Sequence, residues 1–216
     1  MVHIPQADPR QHDEHQLDLT DIPHKDPFEL FAEWYATAAE QEIADPNAFT
    51  LATADRNNMP DARILLFKGF DQNGLVFYTN TLSTKGQQLS ANPQAAAVIH
   101  WKSILRQVRI RGEIEPVGTE EADIYFASRG RESQIGAWAS QQSSLLPNRQ
   151  KLEEKFSTFQ DKFADISIPR PDHWSGYRLK PQTIEFWKNG PYRLHIRRQF
   201  QRDKNTNNWQ SNLLSP

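Results

Sequence analysis

Four arginines and a histidine, with no acidic residue among them, crowd the run GPYRLHIRRQFQR, Gly190–Arg202. So many donors suit an anion site, or simply the solvated face of a strand. Read as a strand, the run places Arg193, His195 and Arg197 on one face, with Tyr192, Leu194 and Ile196 turned to core. Arg198 and Arg202 are then left for solvent or partner contacts. The plain alternative is a cationic edge strand, charged against aggregation.

Three further clusters offer similar chemistry. In YFASRGRESQIGAWASQQSS, Tyr125 and Arg129 lie four apart at the expected end of a helix, with Ser133 just past a bend at Gly130. A phenol, a guanidinium and a hydroxyl make a phosphate grip, although an arginine stacked on a tyrosine explains the pair as well. In TNTLSTKGQQLSANP, Thr84 and Gln87 have capping-box spacing, so Lys85 falls in the first turn of a short helix whose free N–H groups would face an anion. In RILLFK, Arg63 and Lys68 bracket an apolar strand. An ordinary solvated charge accounts for any one of these alone.

Other chemistries are missing. The chain has no cysteine, which removes disulfides, thiolate metal sites and thiol nucleophiles and fits a reducing, cytoplasmic setting. It has no G-x-G-x-x-G, no Walker loop, no nucleophile elbow and no paired helical histidines for zinc. His3, His12, His15 and His24 match no closed ligand set, so no metal is expected. With 25 Lys+Arg against 27 Asp+Glu, the net charge of -2 gives the whole molecule no pull toward nucleic acid. No apolar run is long enough to span a bilayer, and no membrane partner is expected. An organic cofactor is left to carry any reaction.

The elements that must position these clusters are read from periodicity. Residues 1–25 lack it and are expected to be a mobile leader, followed by one domain over 26–216. Asp26 and Pro27 are the cap and first residue of a helix that places Phe28, Leu30, Phe31, Trp34, Tyr35 and Ala38 at helical spacing. Five strand-like runs follow: AFTLATAD, ARILLFKGF, GLVFYTN, AAAVIHW and ILRQVRIRGEIEPV, the last alternating Val108, Ile110 and Ile114 with charges. Helices are expected near Thr119–Ser128 and Pro147–Phe163, then three or four short strands to the end. The sum is a mainly β, α+β chain: an antiparallel barrel with peripheral helices.

Taken together, RILLFK, FYTN, RQV, YFASRGRESQIGAWASQQSS, IEFW and RLHIR resemble the pyridoxamine/pyridoxine 5'-phosphate oxidase family, in order and spacing, from about Asp26 to Pro216. The resemblance implies a split β-barrel homodimer with FMN at the subunit interface. The activity implied is oxidation of pyridoxine or pyridoxamine 5'-phosphate to pyridoxal 5'-phosphate. Hydride would pass from substrate C4' to flavin N5, O2 would become H2O2, and the amine substrate would release ammonia. Vitamin B6 biosynthesis and salvage would be its setting.

By matching motif, the resemblance assigns flavin contacts to Arg63, Ile64, Leu65, Leu66, Phe67 and Lys68, to Tyr78, Thr79 and Lys85, and to Gln107, Gln142, Ser143, Trp187 and Arg197. It assigns the substrate phosphate to Lys68, Tyr125, Arg129 and Ser133. Arg193 and His195 would close over the pyridine ring as the catalytic pair. The chain departs from the family pattern where Thr84 replaces an arginine, which implies lower FMN affinity, and where Ile196 replaces an aspartate, which implies a packing change. The leader has Arg10 but no tyrosine for a lid. A phenazine-pathway oxidase and a non-catalytic flavin- or nucleic-acid-binding barrel are the competing readings.

Overall fold

A computed structural model describes residues 18–216. The strands are β1 (Ala48–Ala54), β2 (Pro60–Asp71), β3 (Gly74–Asn80), β4 (Gln94–Trp101), β5 (Arg106–Pro116), β6 (Trp174–Lys188), β7 (Ile196–Arg202) and β8 (Trp209–Leu214). The helices are α1 (Pro27–Gln41), α2 (Thr84–Ala91), α3 (Thr119–Ala127), α4 (Arg131–Ala139) and α5 (Arg149–Lys162). The sheet runs β3-β2-β1-β4-β5-β6-β7-β8, and a β3–β6 pairing closes its first six strands into an antiparallel barrel. This is the expected architecture.

The five early strands form where alternation places them. In β5, Val108, Ile110 and Ile114 are buried while Arg109, Arg111 and Glu113 are exposed. Three readings need correction. The short strands expected after residue 173 begin instead with the single 15-residue β6, whose continuous pairing, first to β3 and then to β7, leaves no point at which to break. Helix α4 was not expected, because Gly130 reads as a bend; it is the residue capping that helix. The cap of α2 is Ser83, whose side chain accepts from Gly86 N–H, and Thr84 is the first helical residue.

Two compact units are present. One comprises Met1–Pro46, Val98–Ile110 and Gln182–Pro216. Its core is aromatic: Phe31 lies 5.8 Å from Trp101, Trp34 5.1 Å edge-on to Phe186, and Phe186 5.7 Å from Phe200, centroid to centroid. Each such ring contributes roughly 1.5–3 kcal/mol on burial. Helix α1 is started by Asp26, which accepts from the N–H groups of Phe28 and Glu29, with Pro27 needing no partner.

Of the residues 1–25 expected as a leader, 1–17, with His3, His12, His15 and Arg10, lie outside the described residues. Ile22 is only 1% exposed. Lys188 donates to Thr20 O at 2.8 Å and pairs with Asp18, and Arg198 donates to Ile22 O at 2.6 Å. The 18–25 segment is therefore tied down by side chains that no periodicity announces.

The second unit comprises Asn47–Ala97 and Arg111–Pro181. Phe49, Phe67 and Phe77 fill one part of it. Phe126, Ile135, Phe163, Ile168 and Trp174 form a second cluster under α3, α4 and α5. Among the described residues no helix is long and apolar enough to cross a membrane.

Candidate active site

The second unit gathers most of the expected cofactor and substrate residues. Thr79 is the penultimate residue of β3, two before the turn into α2, and Gly86 lets that helix press against the strand end: a Cβ there would lie 2.1 Å from Thr81 O. Lys85 is thereby buried, with its ammonium donating to Gln142 Oε1 at 2.7 Å and to Thr79 and Ser83 at 3.3 Å. Burial, and then the nearby Arg63 charge, hold its pKa below the ordinary lysine value. Asp61 offsets part of the Arg63 charge, but only neutral oxygens meet Lys85 itself, so its ammonium favours an anion. Arg63 is held by Thr53 Oγ1, Asp61 and Gln88.

A ladder of rings stands beside this cluster. Tyr78 and Tyr125 stack at 4.0 Å, Tyr78 and Trp174 at 5.3 Å, and the Arg129 guanidinium lies 4.8 Å over Trp174. Tyr125 and Arg129 are thus brought together, as expected, but on Trp174 rather than on each other. Arg129 Nη1 is buried without a hydrogen-bond partner, and burial depresses the guanidinium's pKa. A buried donor left unpaired is costly and is an unfilled demand for an anion. Tyr78 is pushed up to about 12 by burial, with the Glu121 charge adding to it.

The remaining members are placed differently. Lys68 is exposed at a β-bulge, where the β2–β3 register slips between Phe67 and Gly69. Pairing with β3 begins only at Phe67, so Arg63–Leu66 present an edge to that side, with Ile64 and Leu66 exposed and Leu65 half-buried. Phe67 is core, and Asn47 bonds both its N–H and its carbonyl. Ser133 is exposed in the first turn of α4, and Ser143 is exposed with φ 71°.

The first unit holds Gln107, Trp187, Arg193, His195 and Arg197. The strand expected over YRLHIR is not there. Pro191–Arg193 is a 3₁₀ turn, Tyr192 and Arg193 have φ of 53° and 64°, and β7 begins only at Ile196. Tyr192 and Leu194 are 84% and 64% exposed, so neither is core and the inferred split of faces fails there. Two successive non-glycine residues in the left-handed region cost about 1–3 kcal/mol each, strain of the kind that collects at functional sites. Gly190 permits the turn, since a Cβ would strike Leu194 O at 2.1 Å.

His195 packs 4.6 Å from the Trp187 ring, and its Nδ1 accepts from Gly190 N–H. Burial, then Arg193 and Arg197, lower its pKa. Arg197 and Arg109 both bond Glu185, and Gln107 is half-buried on β5. Of the two arginines left for solvent or partner contacts, Arg198 is engaged by Ile22 O and Ser211, and Arg202 lies over Trp209 with a buried Nε. Ile196 is half-buried opposite Lys188. A cavity of about 390 Å³ in this unit, lined by Arg106 and Lys188, already has Asp18 as its anion.

Sequence reasoning missed Trp174, the platform on which Tyr125 and Arg129 meet, and Glu185. The signal for Glu185 was available: one acid inside the apolar run IEFW.

The family model described as pyridoxamine 5'-phosphate oxidase matches residues 36–163, and one described as the pyridoxine 5'-phosphate oxidase C-terminal dimerisation region matches 174–216. A pyridoxine/pyridoxamine 5'-phosphate oxidase of Caulobacter vibrioides is 54% identical over 195 residues, covering 90% of this chain and 87% of the relative. Its namesake in Azorhizobium caulinodans is 53% identical, covering 88% and 90%. Among solved structures, PhzG from Burkholderia lata, in complex with tetrahydrophenazine-1-carboxylic acid, is 31% identical with a TM-score of 0.84, covering 90% of this chain and 94% of its own. With residues 36–163 and 174–216 both matched and the barrel in place, the chain belongs to the pyridoxamine 5'-phosphate oxidase family.

Proposed function

We propose that this protein is an FMN-dependent oxidase that converts pyridoxine 5'-phosphate and pyridoxamine 5'-phosphate to pyridoxal 5'-phosphate, acting as a homodimer. The observation that carries the reading is Arg129, a buried guanidinium with an unpartnered Nη1, held on Trp174 beside Tyr125. It is suited to one phosphate. Lys85, buried among neutral oxygens at the start of α2, is suited to another. Two phosphate esters in one reaction call for two such grips.

FMN, when bound, supplies the two-electron acceptor and passes the pair to O2, which leaves as H2O2. The chain's own residues bind and orient. Lys85, Thr79 and Gln142 would hold the cofactor phosphate, and Arg63–Leu66 would offer backbone groups from the open edge of β2. Arg129, Tyr125, Ser133 and Lys68 would hold the substrate phosphate, fixing the distance from that anchor to C4'. Arg193 and His195 would cover the pyridine ring from the strained turn. His195, kept neutral by its lowered pKa and with Nδ1 already accepting from Gly190 N–H, would donate a hydrogen bond from Nε2–H to the substrate without adding a charge.

The test is direct. Purified protein with FMN is given each phosphorylated substrate under air, and pyridoxal 5'-phosphate and peroxide are measured. Failure to form either product from both substrates would refute the reading. A second reading is favoured by the likeness to PhzG: a tricyclic carboxylate in place of the phosphorylated pyridine. Turnover of a reduced phenazine carboxylate in preference to both B6 phosphates would support it.

A further inference from the structure

Within the first unit, Glu185 is a carboxylate only 5% exposed, lying in β6 between the buried Ile184 and Phe186. Its Oε1 accepts from Arg197 Nε at 2.9 Å and forms an ion pair with Arg197 Nη2, also at 2.9 Å, and its Oε2 accepts from Arg109 Nη1 at 3.1 Å. The remaining arm of Arg197, Nη1, donates to Ser215 O at 2.7 Å. Every nitrogen of that guanidinium is therefore held, two of the three by one acid. In the β6–β7 register Arg197 lies opposite Trp187, so Glu185 is its diagonal neighbour two residues along the same strand.

Neither burial nor charge alone accounts for this arrangement. An acid desolvated between apolar residues is expensive, and a hydrophobic residue of similar size would hold the strand at least as well. Two arginines around it leave the group with net positive charge, and the fork geometry sets the plane in which Arg197 presents its edge. We propose that Glu185 is a positioning residue for cofactor binding: it acts through Arg197, fixing the orientation in which that guanidinium meets FMN. This rests on the proposed reading of Arg197 as a flavin contact.

The experiment is a double-mutant cycle on FMN affinity, read by quenching of flavin fluorescence as the ligand-free protein is titrated. Glu185→Gln keeps the size but sets an amide against the guanidinium. Loss of about one charge-assisted hydrogen bond weakens FMN binding by roughly ten- to a hundredfold. In an Arg197→Ala background the same change should have little further effect, because the residue through which Glu185 acts is gone. If the loss is equally large in both backgrounds, or if Glu185→Gln binds FMN as the parent does, the proposal fails. If Arg197→Ala itself binds FMN normally, the flavin assignment of Arg197 fails first, and the inference with it. Should Glu185→Gln not fold, Glu185→Asp serves in the same cycle. It keeps the charge but draws it back by a methylene, and recovery of full affinity would overturn an orienting role.

Discussion

Tyr78 and Tyr125 lie face to face, ring centroids 4.0 Å apart and planes 16° from parallel, although one lies in the barrel strand β3 and the other sits in α3. Tyr78 precedes Thr79, which contacts Lys85, and Tyr125 shares Trp174 with Arg129. The stack thus joins the two cation clusters of the second unit through rigid rings. Cofactor and substrate phosphates would be held at a spacing set by packed aromatics, not by mobile loops.

Arg129→Met should separate binding from stability. The ligand-free protein loses a ring contact but also loses a buried unsatisfied donor, itself a cost of about 1–3 kcal/mol. Its Tm should therefore change little. KM for pyridoxine 5'-phosphate should rise by about ten- to a hundredfold, the value of a charge-assisted hydrogen bond, while any residual activity on unphosphorylated pyridoxine stays the same. An equal loss on both substrates would show that Arg129 does not read the phosphate.

Lys85 gives a pH signature. Burial and Arg63 hold its pKa below 10.5 in the free protein, so it begins to lose its proton earlier than an ordinary lysine. A bound phosphate raises that pKa again. Between the two values FMN affinity must fall as pH rises, because binding takes up the missing proton. FMN titrations across the alkaline range should show this limb, and Lys85→Arg should abolish it, since a guanidinium does not titrate there. A limb that survives in Lys85→Arg belongs to another group.

The barrel was legible because its signals are local. Alternation in β5, the Asp26-Pro27 start of α1 and the turn residues between early strands each act within a few positions. Residue type and spacing likewise singled out Tyr125 and Arg129 as neighbours, and the two do meet on one platform. What escaped depends on distant partners. Lys85 meets Gln142 across 57 residues and Lys188 meets Thr20 across 168. Nor does the sequence YRLHIR announce its turn, because Tyr192 and Arg193 adopt positive φ without being glycine, and a reading by alternation has no signal for that.

His195 should be neutral at pH 7. Its pKa is lowered from 6.5 by burial and then by Arg193 and Arg197, so the unfolded chain takes up the proton first as pH falls. Stability contributed by the neutral ring is therefore whole above 6.5 and is lost as pH falls from there to the folded pKa. The ring proton resonances, followed by NMR, should titrate below 6.5, and Arg193→Ala should move the midpoint upward by removing a like charge. A midpoint unmoved by Arg193→Ala would separate the two residues in space.

Asp18 supplies the opposite sign. Although burial raises its pKa, hydrogen bonds from Lys188 and Thr20 and the Lys188 charge outweigh that and hold the carboxyl well below the usual range. Its contribution is present above 3.8 and is lost as pH falls toward the folded value. Asp18 is partly exposed, so the pair is screened and Asp18→Asn should cost only about 1 kcal/mol at pH 7 in urea unfolding. The gap from the parent should close in acid, where the parent too is protonated. The same latch bears on the strained turn, because Lys188 directly precedes Asn189, whose N–H bonds Leu105 O. Freed from Asp18, that end of β6 should open more often, and trypsin should cut after the exposed Arg193 faster in Asp18→Asn than in the parent. Equal cleavage rates with the stability gap intact would confine the latch to holding the 18–25 segment.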